Sequence, residues 1–541
     1  MNDINFTMYK LAGIIAEYDP FHNGHAWQLQ QAKALGARRV AVAMSCGLTQ
    51  RGALPLLPEA VRVQAALQCG ADLIFALPAP CACAGAEAFA RAGVRILAAA
   101  GCDALVFGAE TPDAALLMEA ARVLNSEAYR TELKRQLAAG ARSFAAARQA
   151  AVEALCPGTA LAALLDKPNN NLAVEYCKAI LEQEAPMTPV PLPRVGAGHG
   201  QALAESGHAQ FASASALRAL WAEQGADALT PYVPEKALEL YKKAEIDGMY
   251  TEHAAAGRCE LALLRAACAR PEPFAAVRGV SEGLDHRLEN AVRSCTGLPQ
   301  LLDALTTVRY PRARMRRLAM DAALGYAAET VPALPPYLHL LGARREALVL
   351  LKHASLPLSH SMAKLEKEND ACARMAAAQA GADLINDIWG LKYDPHMSEV
   401  IAKSGLACCL MHNRDNTEYR NFMEDVKQDL RETIALAKAA GIADDKIILD
   451  PGVGFAKSYE NNLEVIRRLK EFNELKYPVL LGTSRKSVIG LTLDLPAAER
   501  VEGTIVTTVM AVEAGCMFVR VHDVKENHRA IQMAEAILDR K

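Results

Sequence analysis

The sequence predicts an α/β chain in which two separate strand–helix arrays flank a helical stretch. Three observations carry this. Residues 1–190 alternate short β-rich runs (LAGIIAEY, RRVAVAM, ADLIFALP, DALVFGAE) with alanine-rich amphipathic segments, the order that builds a parallel sheet with crossover helices. Residues 191–375 are helical in pattern, opened by the proline-rich PMTPVPLPRVGAG and turning basic in their second half. After Gly381 the strand–helix alternation restarts and runs to Lys541.

With 541 residues, 52% hydrophobic and 22% charged, the chain is too apolar to be disordered over most of its length. A net charge of −3 confines any nucleic-acid surface to a local patch. The 14 cysteines include no CxxC pair, which fits reduced thiols rather than a disulfide framework or zinc site. Cys81 and Cys83 are too close to chelate alone, and no metal site is expected. MNDINFTMYK lacks the charged start and apolar core of a signal peptide, and the most apolar stretch, Leu73 to Phe89, is broken by two prolines. The expectation is a cytoplasmic protein with no membrane partner.

In the first array, the strand Leu11 to Tyr18 runs through a loop to His22–His25, where an amphipathic helix begins. A helix N-terminus offers unpaired N–H groups and a positive dipole end, which suits phosphate. His22 and His25 share one helical face and can donate to a phosphate that gains charge during adenylyl transfer; Gly24 lets a nucleotide approach the backbone. The alternative is a capping loop with incidental histidines. The strand–HxGH–helix arrangement resembles the HIGH-motif nucleotidyltransferase superfamily, which implies a Rossmann-like parallel sheet with a helical C-terminal extension. FASASALR fits that group's downstream motif, with Ser213 and Ser215 in place and Arg218 implied to help hold the triphosphate.

More of the segment (GIIAEYDPFHNGH, MSCGLTQRG, ADLIFALP, FGAE, KPNNNLAVEYCKAI and PRVGAGHG) resembles the bacterial tRNA(Met) cytidine acetate ligase family, over residues 1–360. That resemblance implies that ATP, with Mg²⁺, activates acetate as acetyl-adenylate. The acetyl group then passes to the exocyclic amine of the wobble cytidine of elongator tRNA(Met). The implied ATP contacts are Ile14, Ile15, Ala16, Glu17, Tyr18, Asp19, Pro20, Phe21, His22, Asn23, Gly24 and His25, then Gly108, Asn169 and Arg194. Asn169 has an alternative as a turn residue of KPNNN, and Arg194 as a surface charge. TTVRYPRARMRRLAM places Arg309, Arg312, Arg314, Arg316 and Arg317 on a predicted helix, and residues 309–352 hold eight Lys/Arg against Asp321, Glu329 and Glu346. Alone, such a run is usually a solvated face; joined to the resemblance, it is the expected tRNA surface. Two departures stand out: Asp19 replaces the family's asparagine, and Glu59 stands where a lysine is usual. A carboxylate at position 19 would repel phosphates unless it is paired or meets Mg²⁺.

The second array ends its strands in polar residues. ADLINDI closes at Asn386 and Asp387, LACCLMHN at Met411 and His412, and KIILDPGVGF turns at Asp450. PVLLGTSRKS brings Arg485 and Lys486, and FVRVHD brings Arg520 and His522. βα-barrels build active sites from such strand ends. These runs closely resemble dihydropteroate synthase, implying a partial TIM (β/α)8 barrel of five strands out of eight. By that resemblance Asn386 and Asp450 would hydrogen-bond a pterin, and Lys486 would contact pterin and aminobenzoate. Arg520 and His522 would bind the leaving pyrophosphate, with Met411 and Phe455 lining the pocket. The family's first three strands have no counterpart here, which leaves two raw sheet edges.

The expected domains are a nucleotidyltransferase-like ATP-binding domain at 1–190, a helical, partly basic tRNA-binding region at 191–375, and a truncated pterin-binding domain at 376–541. The crossover lies between Ser361 and Gly381. The leading function is tRNA(Met) cytidine acetylation by an ATP-dependent ligase, with a C-terminal segment inactive alone. One alternative is a dihydropteroate synthase of folate biosynthesis completed by another chain. A second is a non-catalytic C-terminal module whose raw edge pairs with a partner by β-augmentation.

Overall fold

The computed structural model describes residues 8–538 apart from 142, 194–210, 269–271, 282, 330, 381–383, 395 and 405–406. The chain divides into two compact units, Met1–Gly381 and Ala382–Lys541. No helix among the described residues is long and apolar enough to cross a membrane.

The first unit is built on seven strands: β1 (Ala12–Ala16), β2 (Val40–Ser45), β3 (Leu73–Leu77), β4 (Ala104–Ala109), β5 (Thr188–Pro193), β6 (Leu338–Ala343) and β7 (Leu358–Ser359). β1 to β4 arise from the four apolar runs, and their order in the sheet is β5-β4-β1-β2-β3-β6-β7. β1 to β4 are largely buried on both faces because helices cover both. One face packs Leu11, Ala43, Phe75, Leu105 and Phe107 against the helices Ala86–Ala99, Ala114–Asn125 and Pro168–Glu182. The other packs Ile14, Val42, Ile74 and Val106 against Asn23–Ala34, Glu59–Gln68, Ala214–Gln224 and Glu235–Ile246. The chain moves outward from β1 to β3 and then crosses back to β4, on the other side of β1. The cleft beyond the C-terminal ends of β1 and β4 is therefore a topological switch point, where open α/β sheets bind ligands.

The stretch expected to be helical after 190 is only partly so. TPVPLP forms the edge strand β5, parallel to β4. Its prolines, 189, 191 and 193, share one parity, so the backbone N–H groups facing β4 belong to the residues between them. LHLLGA forms β6, antiparallel to β3, so the sheet is mixed rather than wholly parallel. The intervening helices His253–Ala267, Leu284–Ser294, Leu298–Leu305 and Arg312–Ala323 pack around their own core of Leu264, Leu288, Leu301 and Met315.

In the second unit β8 (Leu384–Asp387), β9 (Ala407–Met411) and β10 (Ile447–Asp450) pair in parallel, as do β11 (Leu480–Leu481) and β12 (Phe518–Val519). A parallel bridge from Leu449 to Val479 joins the two groups into one arc. Strand alternation sorts the side chains. Cys408, Leu410, Ile447, Leu449, Val479 and Leu481 face the covering helices, while Cys409, Ile448 and Leu480 form a small inner cluster with Leu384. Among the described residues the strands do not close into a barrel.

Candidate functional site

At the switch point lies a cavity of ≈ 340 Å³. Its floor comes from the end of β1 and the loop after it, Ile15 to Asp19, and from Phe107 and Gly108 on β4. His22, Gly24 and His25 stand at the start of the Asn23–Ala34 helix. The helix begins there because His22 is its N-cap: His22 Nδ1 accepts from Gly24 N at 3.1 Å, and His25 Nδ1 accepts from His22 N at 3.3 Å. With both Nδ1 atoms acting as acceptors, each neutral ring carries its proton on Nε2. The rings stack with centroids 3.8 Å apart. Burial, then the neighbouring His22, drives the His25 pKa well below the usual histidine range, so His25 is a neutral donor. A Cβ at Gly24 would come within 2.9 Å of His22 Cε1, so this glycine first of all makes room for the capping imidazole.

Around this centre the charges are tied down. Glu17 accepts from Gln50 N at 2.5 Å; burial raises its pKa against that bond. Asp19 is buried and paired: Oδ1 accepts from Leu56 N at 2.6 Å and Oδ2 meets Arg218 Nη1 at 3.2 Å. Arg218 Nη1 also donates to the Asp19 carbonyl at 2.5 Å. Asn169 donates through Nδ2 to Glu110 Oε1 at 2.6 Å, at the start of the Pro168–Glu182 helix. Two features leave room for a ligand. Among the described residues the buried Tyr18 hydroxyl has no hydrogen-bond partner, and a Cβ at Gly108 would meet no atom within 4 Å.

Of the implied nucleotide contacts, Ile15, Ala16, Glu17, Tyr18, Asp19, His22, Gly24, His25, Gly108, Asn169 and Ser213 line the cavity. Others do not. Ile14 and Phe21 are sealed in the apolar core, because strand alternation turns Ile14 to the opposite face from Ile15. Pro20 is buried, and Asn23 Nδ2 donates to Pro231 O at 3.1 Å. Ser215 meets Ser213 Oγ at 3.1 Å, and Arg218 is engaged with Asp19, so neither reaches the cavity wall. Arg194 lies outside the described residues. Sequence reasoning assigned no role to Gln50 and Arg51, or to the aromatic wall of Phe89, Phe107 and Tyr176. The available signal was the polar pair Gln50–Arg51 in the loop after β2.

The basic run is divided. Arg309, Arg312 and Arg314 are exposed, with Arg309 and Arg314 over the Tyr310 ring and Arg312 paired with Asp303. Arg316 and Arg317 turn inward: Arg316 pairs with buried Glu260 at 2.6 Å, and Arg317 Nη1 donates to Gln50 O at 3.4 Å. The 3.6-residue turn puts these two on the packed flank of the Arg312–Ala323 helix, so only the first three form an open basic face. Among the described residues no group of three or more His, Cys, Asp or Glu is placed to hold a metal ion.

In the second unit the inner strand positions one step beyond the apolar cluster are Asn386, Met411, Asp450, Gly482 and Arg520. A Cβ at Gly482 would lie 3.6 Å from Asp450 Oδ2 and from Arg520 Nε and Nη2, so these groups share one space. Asp450 Oδ1 accepts from Gly452 N at 2.7 Å, while Oδ2 is buried without a partner among the described residues. Burial raises its pKa. Lys486 Nζ donates to Val453 O and lies 4.7 Å from the Phe455 ring centroid; burial brings its pKa down to about 8. His522 Nδ1 meets Ser484 Oγ at 2.9 Å on the exposed rim. An unpartnered buried carboxylate oxygen beside cationic groups is a ready acceptor for a ligand N–H.

Comparison with known proteins agrees with this division. Residues 9–393 match the family described as HIGH Nucleotidyl Transferase, and residues 370–522 match the family described as Pterin binding enzyme. A tRNA(Met) cytidine acetate ligase of Syntrophotalea carbinolica is 32% identical over 66% of this chain and 86% of its own length. A crystal structure of Thermotoga maritima TmcAL bound with alpha-thio ATP matches at 25% identity and a TM-score of 0.61, covering 69% of this chain and 92% of that one. The dihydropteroate synthase of Clostridium beijerinckii is 59% identical over 165 residues, but this chain spans only 61% of its length. The C-terminal part thus resembles pterin-binding enzymes over part of their length, and the chain, through its first 390 or so residues, is a member of the tRNA(Met) cytidine acetate ligase family of ATP-dependent HIGH-type nucleotidyltransferases.

Proposed function

We propose that the first unit binds ATP in the switch-point cavity, activates acetate as acetyl-adenylate and acetylates the wobble cytidine of elongator tRNA(Met). The observation that carries this is the HxGH cap in a cavity at the ends of β1 and β4, within a chain that covers 86% of a ligase relative. In the first step an acetate oxygen attacks the α-phosphorus and pyrophosphate leaves. In the second, the cytidine amine attacks the acetyl carbon and AMP leaves. Neither step needs a nucleophilic side chain. The chain's part is to hold and polarise: the neutral His25 Nε2–H, with His22, is suited to a phosphoryl oxygen whose charge grows at the transition state. The aromatic wall of Phe89, Phe107 and Tyr176 suits a base. Mg²⁺ would travel with the triphosphate, since no described side-chain cluster would hold it, and no step is assigned to it. Residues 1–190 carry the ATP chemistry in this reading, and Arg309, Arg312 and Arg314 within 191–375 offer the tRNA phosphates an exposed face. The substrate places the protein in the cytoplasm. The test is transfer of radiolabelled acetate to tRNA(Met) by the full chain with ATP. Absence of product from a chain that binds ATP would overturn the reading.

For residues 376–541 we propose pterin binding without synthase turnover. Asp450 Oδ2 supports binding, and the 61% coverage supports inactivity, because three strands' worth of the relative has no counterpart. Turnover of pterin pyrophosphate with para-aminobenzoate by the chain alone would refute the second half.

A further inference from the structure

The described residues of the cavity offer little positive charge for the ligand proposed. Glu17 and Asp19 both stand on its wall, and Arg218 is committed to Asp19. Among the described residues that line it, Arg51 is the one with a permanent positive charge. An oxyanion entering between two carboxylates needs such a partner, and a guanidinium matches phosphate or carboxylate with two parallel N–H donors.

The loop that carries Arg51 is held on both flanks. Thr49 N donates to Ala53 O at 2.9 Å and Gly52 N to Thr49 O at 2.9 Å, closing a tight turn with Gln50 and Arg51 at its tip. Just before Arg51, Gln50 is held twice: its N–H donates to Glu17 Oε1 at 2.5 Å, and its carbonyl accepts from Arg317 Nη1 at 3.4 Å. Just after it, Gly52 has φ +75°, and a Cβ there would lie 3.1 Å from Arg316 O and from Arg317 Cα. Leu48 anchors the turn in a small core with Met320 and Tyr326. The backbone of residue 51 is thus clamped between the loop after β1 and the Arg312–Ala323 helix.

We propose that Arg51 binds the reactive oxyanion in this cavity, and that Arg317, with Gly52, is the positioning residue that keeps it there. This rests on the ATP-ligase reading. The shared chemistry is an oxyanion, which either the triphosphate of ATP or the carboxylate of acetate can supply.

The experiment uses the full chain and two measurements: Kd for a non-hydrolysable ATP analogue without acetate, and KM for acetate in ATP–pyrophosphate exchange. Loss of a charge-assisted contact predicts that Arg51→Met raises one of these by about 10- to 100-fold, with Arg51→Lys retaining part of the binding. A rise in the analogue Kd assigns the phosphates; an unchanged Kd with a raised acetate KM assigns the carboxylate. Arg317→Met should raise the same constant several-fold, Arg317→Lys should restore it, and Arg317→Met should add nothing in an Arg51→Met background. Gly52→Ala is a second route to the same shift with both arginines present. Both constants within twofold of wild type in Arg51→Met would overturn the assignment. Equal effects of Arg317→Met in both backgrounds would overturn the positioning role. A wild-type chain that binds no analogue and catalyses no exchange would overturn the ligase reading itself.

Discussion

Asp19→Asn separates stability from ligand affinity at this site. Asp19 is 3% exposed, and its two oxygens do different work: Oδ1 accepts from Leu56 N, and Oδ2 pairs with Arg218. An asparagine can keep the first bond through its carbonyl oxygen. It must then turn an NH₂ toward the guanidinium, so the charged bond is lost and two donors face each other. Arg218 keeps its bond to the residue 19 carbonyl and is not orphaned. A buried charge-assisted bond of this kind contributes about 1.5–3 kcal/mol, so the first unit should lose about 2 kcal/mol. That corresponds to a fall of about 2–4 °C in its unfolding transition. Removing one carboxylate from the cavity wall acts the other way on the ligand, favouring ATP by about 1 kcal/mol, or about fivefold in Kd. Urea unfolding and binding of an ATP analogue would be measured on Asp19→Asn, Arg218→Met and the double variant. The cycle should give a coupling energy above 1 kcal/mol, and Arg218→Met should affect affinity more in the asparagine background, where no carboxylate at position 19 neutralises the arginine. A coupling below about 0.5 kcal/mol, or weaker ATP binding by Asp19→Asn, would refute the reasoning.

Further outcomes follow from other contacts. Gly24→Ala should abolish adenylate formation with little loss of stability, because its Cβ displaces the His22 ring; activity within tenfold of wild type would count against this. Arg62, 1% exposed, donates to the carbonyls of Glu17, Ser45 and Leu57, so Arg62→Leu should destabilise the first unit by about 3–5 kcal/mol in urea titrations. In the second unit burial, opposed by the Asp429 hydrogen bond, lowers the His412 pKa from 6.5 to about 4. The unfolded chain therefore binds the extra proton first, and stability is complete above pH 6.5 and lost as pH falls toward 4, by at most about 3 kcal/mol. The unfolding transition assigned to this unit should show that slope, and His412→Gln should flatten it. Asp450→Asn should abolish pterin binding measured by calorimetry without lowering stability, because it removes a buried carboxylate whose second oxygen has no partner.

What was legible in the sequence followed from local periodicity. β1 to β4 announced themselves as apolar runs because helices bury both of their faces, and the HxGH cap could be placed because its hydrogen bonds span only three residues. The inner positions Asn386, Met411, Asp450 and Arg520 were readable because strand ends in a parallel array repeat the same parity. β5 was misread since three prolines look like a breaker until an edge position turns their nitrogens outward. The Asp19–Arg218 pair joins residues 199 apart, and Arg317 reaches Gln50 across 267 residues, so no window of sequence could contain either. Arg51 stayed hidden for the same reason: only the packing of the loop after β2 against a distant helix brings it to the cavity.

The second unit shows how a barrel segment without a closed ring can keep a packed structure. A βα-barrel has two apolar layers, one between strands and helices and one inside the strand ring. Here the outer layer is large, running from Leu391 and Ile401 through Leu449 and Phe472 to Ala511, and the helices that follow β8 to β11 all contribute to it. The inner layer holds only Cys409, Ile448, Leu480 and the flank of Leu384, and that layer is the one a closed ring completes. Deleting βα units therefore removes outer core in proportion to the strands lost, but it opens the inner face altogether. Four of the positions expected to meet a ligand, Asn386, Met411, Asp450 and Arg520, follow the inner parity, so an open ring bears on ligand groups before it bears on the outer core. The exposed edge bears the same mark, with Met517 67% and Phe518 40% exposed beside β12. A match as high as 59% identity can therefore coexist with an open ring, because identity along the strands present reports first on the layer they share with their covering helices.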